Sequence, residues 1–152
     1  MRPLAMILCL LMIASCYAIK ISSMEEFYQV DQNRITEESL KLQESLDSRL
    51  PVKSKTTAGF VSRHNVTFSG FSSPIFIIGD DALSKQWLNN HAKQLRELRA
   101  LGFITNIKNP ATLQELQTIH DLPLLPADVD DLMLLLDAQH YPLMMNEGVV
   151  WQ

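Results

Sequence analysis

The chain has 152 residues, room for one domain, and its 47% hydrophobic and 20% charged residues are a globular balance. A net charge of −4 gives no electrostatic reason to seek nucleic acid, whose binding rests on neutralising phosphates with Lys and Arg, so direct nucleic-acid contact is not expected. Both cysteines, Cys9 and Cys16, precede Tyr17, which removes disulfide, Cys-x-x-Cys and cysteine-metal chemistry from everything downstream.

Residues 1–18 have the three-part layout of an export signal: Met1-Arg2 as a short positive start, an apolar stretch from Leu4 to Ile13, and small residues at the end. The apolar stretch is too short to cross a bilayer as a helix. Two processing readings stand. Cleavage after Ala18 suits the small side chains of Cys16 and Ala18, whereas Ile13-Ala14-Ser15-Cys16 is similar to a bacterial lipobox in which Cys16 becomes the acylated first residue. Ordinary cleavage is the working expectation.

Residues 19–59 read as an N-terminal arm. Ile19 to Asp31 has no clear period. Thr36 to Leu50 reads as an amphipathic helix capped by Thr36, with Glu37 and Glu38 at the positive end of its dipole and Leu42, Leu46 and Leu50 at i+4 spacing, stopped by Pro51. Such a helix packs on its own domain or docks another protein. Pro51 to Gly59 is polar and reads as a linker.

Residues 60–152 read as an α/β domain. Phe60 to Phe68 alternates loosely, as a half-exposed strand does; its Asn65-Val66-Thr67 triplet matches the N-glycosylation pattern but is common by chance and is discounted. Ser73 to Asp81 contains the run Ile75-Phe76-Ile77-Ile78, apolar on both faces, which predicts a strand buried on both sides. Ala82 to Leu101 predicts a helix with Leu83, Trp87, Leu88, Leu95, Leu98 and Leu101 inward, capped by Asp80 or Asp81 and closed by Gly102. A strand at Phe103 to Ile107 completes a βαβ unit.

Asn109-Pro110 then opens a helix to His120, with Leu113, Leu116 and Ile119 on its core side. Leu122 to Leu125 is a short strand. Asp128 to Gln139 is a third helix with Val129, Leu132, Leu135 and Leu136 inward, and Leu143 to Met145 and Val149 to Trp151 form a closing hairpin with Gly148 in its turn.

Chemistry-bearing residues are sparse, and no catalytic, cofactor-binding or metal-ligating set is assigned. Asp80 and Asp81 stand at the carboxyl end of the first buried strand, where open α/β sheets place ligands, but they equally suit a helix cap. His64, His91, His120 and His140 lack metal-ligand spacing; His91 falls on a polar helix side, and His120 and His140 at helix ends, where a cation suits the dipole. Ser73 and Ser84 have no nucleophile elbow, and no phosphate loop exists. Pro142, between a helix and a strand, is placed where a cis bond returns a chain to its sheet, with Tyr141 as aromatic neighbour; a trans proline ending the helix is the alternative.

The run from Leu136 to Val150, a helix end, Tyr141-Pro142, a strand, a glycine turn and a strand, resembles the last part of a thioredoxin-like domain. The position of the Cys-x-x-Cys is held here by Gly79-Asp80-Asp81-Ala82-Leu83-Ser84, so the resemblance implies the fold, a thioredoxin-like mixed sheet in βαβαβαββ order with an N-terminal helical arm, without oxidoreductase activity. Ser73 to Trp87 and Tyr141 to Met144 resemble an exported protein family of integrating conjugative elements, and the layout is similar to the thioredoxin-like TrbC proteins of conjugative type IV secretion.

What that resemblance implies is a periplasmic accessory or structural component acting by contact with other envelope proteins of the conjugation machinery. Asp80, Asp81, Trp87, Tyr141 and Pro142 are its structural or interaction candidates. Membrane attachment is expected only if Cys16 is lipidated, as an outer-membrane lipoprotein. The alternative is a ligand- or metal-binding envelope protein or enzyme using the strand ends around Asp80, Asp81 and Pro142.

Overall fold

Residues 32, 34–67, 70 and 73–152 are described by the computed structural model. The leader, with Cys16 and Ala18, and the arm from Ile19 to Asp31 lie outside the described residues. Two compact units divide the chain, Met1–Glu44 and Ser45–Gln152. The second therefore begins well before residue 60, because the segment that reads as a linker is hydrogen-bonded to the chain at Ile107 and Tyr141.

Residues 34–47 are helical (α1). Thr36 is inside this helix rather than at its cap, its hydroxyl donating to Gln32 O at 2.9 Å. Within the first unit Ile35, Leu40 and Leu42 are exposed; within the second, Leu46 is buried in the core and Leu50 packs against it.

The second unit is built on β3 (Ile75–Gly79), every residue of which is buried. Side chains alternate across a strand, so Phe76 and Ile78 enter one core while Ile75 and Ile77 enter another on the opposite face. The first core takes Trp87, Leu88 and Leu95 of α2 (Ala82–Glu97) and Leu113 and Leu116 of α3 (Pro110–His120); the second takes Met133 of α4 (Asp130–Leu135) with Val129 and Leu136 beside it.

With β1 (Thr57–Ala58), β2 (His64–Asn65), β4 (Leu101–Thr105), β5 (Leu124–Pro126), β6 (His140–Tyr141), β7 (Leu143–Asn146) and β8 (Val149–Trp151), the strands form a six-stranded sheet in the order β2-β8-β7-β3-β4-β5 and a separate parallel pair β1-β6. β4 runs parallel to β3, and β5 parallel to β4, as helical crossovers require; β7 runs antiparallel to β3 and β8 to β7. Glu147 and Gly148, at φ 50° and 76°, close the β7-β8 hairpin with the two positive φ angles such tight loops need.

Several boundaries differ from the sequence reading. α2 stops at Glu97, with Arg99 rather than a glycine taking the left-handed position at φ 51°. Gly102 is inside β4, where a Cβ would strike Phe76 and Leu124. That moves the strand to Leu101–Thr105. Among the described residues of the Phe60–Phe68 stretch only His64–Asn65 is strand, and Phe60 is 80% exposed. α4 is six residues instead of twelve, which turns Leu134 and Leu135 to solvent and Met133 inward. Leu83 and Ile119 are also on the solvent side.

Candidate functional site

β3 ends at Gly79, where nothing larger fits: a Cβ there would lie 2.5 Å from the Tyr141 ring and 2.7 Å from Asp81 Oδ2. Asp81 is extended, at φ −121° and ψ 165°, and caps α2. Its Oδ1 accepts from Ser84 N at 2.9 Å and its Oδ2 from the Ser84 hydroxyl at 2.8 Å, while Ser84 Oγ accepts from Gly79 N at 2.9 Å. Both carboxylate oxygens are thus bound to the turn they terminate. Asp80 pairs instead with Lys85.

Tyr141 and Pro142 are joined by a cis peptide bond. Tyr141 is buried with its hydroxyl accepting from Asn106 Nδ2 at 2.9 Å. Burial holds its phenol above the usual value, with the Asn106 bond opposing and the Asp81 charge adding. Asn106 follows β4 at φ 53°, a left-handed conformation that asparagine tolerates well. Its Oδ1 accepts from Ser54 N at 3.0 Å and its Nδ2 also donates to Thr56 O at 2.9 Å.

Residues 52–59 therefore form a strap across the carboxyl ends of β3 and β4. Val52 bridges Ile107, and Ser54 is buried at its centre. Ser54 Oγ donates to Asp128 Oδ1 at 2.9 Å, accepts from Val129 N at 2.9 Å and lies 2.6 Å from Thr105 Oγ1. A serine hydroxyl has one proton, so with that proton on Asp128 the Thr105 hydroxyl is the donor. Asp130 accepts from Lys55 N, Thr56 N and the Thr56 hydroxyl at 2.8 to 3.1 Å. Those backbone donors hold its carboxyl below the ordinary carboxylate range, with burial opposing. Farther on, β1 pairs with β6 in register Thr57 to His140 and Ala58 to Tyr141, Gly59 N donates to Tyr141 O, and Gln152 Nε2 donates to Gly59 O and Pro142 O.

Of the sequence candidates, Asp81, Tyr141 and Pro142 come together around Gly79. Trp87 does not join them. It is 5% exposed in the α2-side core, with ring centroids 6.4 Å from Phe76, 4.7 Å from His91 and 6.4 Å from Trp151. His91 is thus stacked rather than on a free polar face. His120 does close α3, but it is buried, and burial followed by the Arg96 charge holds its pKa down; His140 lies in β6 instead of at a helix end. Ser54 and Asn106 are not singled out by sequence, and Asp128 and Asp130 read there only as carboxylates at the positive end of the third helix. The only signal for Ser54 and Asn106 was an unusually polar run meeting an Asn just after a strand. Among the described residues no three His, Cys, Asp or Glu side chains gather to hold a metal ion, and no helix is long and apolar enough to cross a membrane.

The order β8-β7-β3-β4, helices on both faces and a cis Tyr141-Pro142 leading into β7 define a thioredoxin-like α/β domain whose turn after β3 carries Asp80-Asp81 in place of paired cysteines. Within that class the chain belongs to the family described as proteins of unknown function, DUF2859, whose model matches residues 14–150. No curated protein and no solved structure matches it significantly.

Proposed function

We propose that this protein is a periplasmic structural component of a conjugative type IV secretion apparatus, serving an integrating conjugative element through contact with other envelope proteins. The observation that carries the reading is the internal commitment of the site. In a thioredoxin-like frame the turn after β3 is where redox cysteines act, and here Asp81 is spent on Ser84 while the strap covers Tyr141. A fold kept with its reactive turn converted to a lock is consistent with a contact role, since fold and chemistry are separable. The export signal read in residues 1–18, the resemblance of Ser73–Trp87 and Tyr141–Met144 to the conjugative-element family, and the likeness of the layout to TrbC proteins support the setting.

A pull-down of the tagged protein from envelopes of cells expressing the conjugation genes, with intact mass of its N-terminus, tests this. Recovery of channel or pilus-assembly subunits is expected, with a chain starting at Ile19. A start at an acylated Cys16 would make it a lipoprotein. Emergence of the protein alone from such cells would overturn the contact role.

A further inference from the structure

His64 stands in β2 with both ring nitrogens against carbonyl oxygens: Nδ1 is 2.9 Å from Ser62 O and Nε2 is 2.8 Å from Leu136 O. A neutral imidazole has one N–H and would turn the lone pair of its other nitrogen onto an oxygen at hydrogen-bond distance. Only the imidazolium satisfies both contacts. Leu136 is the C-cap of α4, where the last carbonyls lack helical partners and a cation is favoured.

The placement gives this contact leverage. β2 is a two-residue strand that, among the described residues, pairs only with β8 at the edge of the sheet, so few bonds hold it. Between it and the chain leaving α4 runs a groove of about 200 Å³, with Phe60, Val61 and Ser62 on one wall and Asp137, Ala138 and His140 on the other. His64 spans the two walls. The ionisable groups facing it there are Asp137, whose negative charge favours the imidazolium, and His140; Arg63 is its exposed neighbour on the β2 side, and β8 offers no ionisable side chain.

We propose that His64 is a proton-controlled clasp: as the imidazolium it pins β2 to the end of α4, and on losing its proton it releases one carbonyl and lets the Phe60–His64 wall move off the Asp137–His140 wall. The pKa direction agrees, being raised above 6.5 by the Leu136 and Ser62 carbonyls, with burial opposing and Asp137 adding. A raised value means the folded chain holds the proton more tightly than the unfolded one, so the clasp is fully engaged below the unfolded pKa of about 6.5 and is lost as pH rises through the folded value.

The test is histidine NMR on the full chain from pH 5 to 9, with hydrogen exchange at Val66 N–H, which bonds Gly148 O where β2 meets the hairpin. The expected result is a His64 midpoint above 6.5 with both ring nitrogens protonated below it. Val66 exchange, corrected for intrinsic base catalysis, should accelerate about tenfold across the transition, the signature of local opening. In His64→Phe the acceleration should vanish. A midpoint at or below 6.5, a Val66 rate that does not follow the titration, or the same acceleration in His64→Phe would overturn the proposal; the wild-type data decide it even if the variant folds poorly.

Discussion

The Tyr141 hydroxyl accepts a 2.9 Å hydrogen bond from Asn106 Nδ2, which ties the residue before Pro142 to the residue that follows β4. Because the same amide also bonds Ser54 N and Thr56 O, one side chain joins the strap, the parallel strands and the cis-proline segment. The carboxyl end of the sheet is therefore held by polar bonds where its two faces are held by apolar packing.

Asn106→Ala tests how much that junction contributes. It removes three hydrogen bonds, each worth roughly 1 kcal/mol net, and leaves a residue with a Cβ at φ 53°, for which the left-handed conformation costs about 1 kcal/mol more. Urea unfolding should show a loss of about 4 kcal/mol. Asn106→Gly, which escapes the backbone cost, should recover about 1 kcal/mol of it. Two variants as stable as the parent would mean the junction is decorative.

At Gly79 the constraint is steric. An alanine methyl would meet the Tyr141 ring at 2.5 Å and Asp81 Oδ2 at 2.7 Å, so either the ring leaves its place over the strand end or the cap opens. Overpacking of this kind costs about 1–3 kcal/mol. Gly79→Ala should fall in that range by urea unfolding, and pairing it with Tyr141→Leu in a double-mutant cycle should restore part of the loss. Full additivity of the two would show that Tyr141 is not what the methyl strikes.

Acid should loosen the strap through Asp130. Its carboxyl is held below the ordinary 3.8 by the Lys55 and Thr56 backbone donors, so the unfolded chain takes up the proton first. The contribution is full above pH 3.8 and is lost as pH falls through the folded value. The thermal midpoint should drop as pH falls from about 4 toward about 2, and Asp130→Asn, which has no proton to gain, should show a smaller drop. An identical drop in the variant would place the acid sensitivity elsewhere.

How far the sequence discloses this structure depends on the range of the forces involved. Ile75 to Ile78 announces itself because a central parallel strand needs apolar side chains on both faces, and Asn109-Pro110 because capping and proline geometry are local. The strap escaped notice for the opposite reason. Ser54 finds its partners 51 and 74 residues away, so a polar run looks like a linker until the fold brings Thr105 and Asp128 to it. The short α4 likewise reads as a longer helix, because Leu134 and Leu135 are apolar but exposed. At the candidate site Asp81, Tyr141 and Pro142 were legible from their places at element ends, whereas Asn106 acts through tertiary contacts alone.

Trp87 offers the sharpest distinction between a contact residue and a core residue. Its ring is packed against Phe76, His91 and Trp151, yet its buried Nε1 finds no hydrogen-bond partner among the described residues. Trp87→Ala should cost about 3–5 kcal/mol, as for any large core aromatic. Trp87→Phe keeps much of the ring packing while removing a donor whose unsatisfied burial itself costs about 1–3 kcal/mol, so the two effects oppose. The phenylalanine variant should stay within about 1.5 kcal/mol of the parent in urea unfolding, a range usual for conservative apolar swaps, and should recover in the proposed pull-down whatever the parent recovers. If Trp87→Phe instead unfolds as readily as Trp87→Ala, the indole nitrogen has a partner in the folded chain; if it folds normally but loses capture, Trp87 belongs to the contact surface after all.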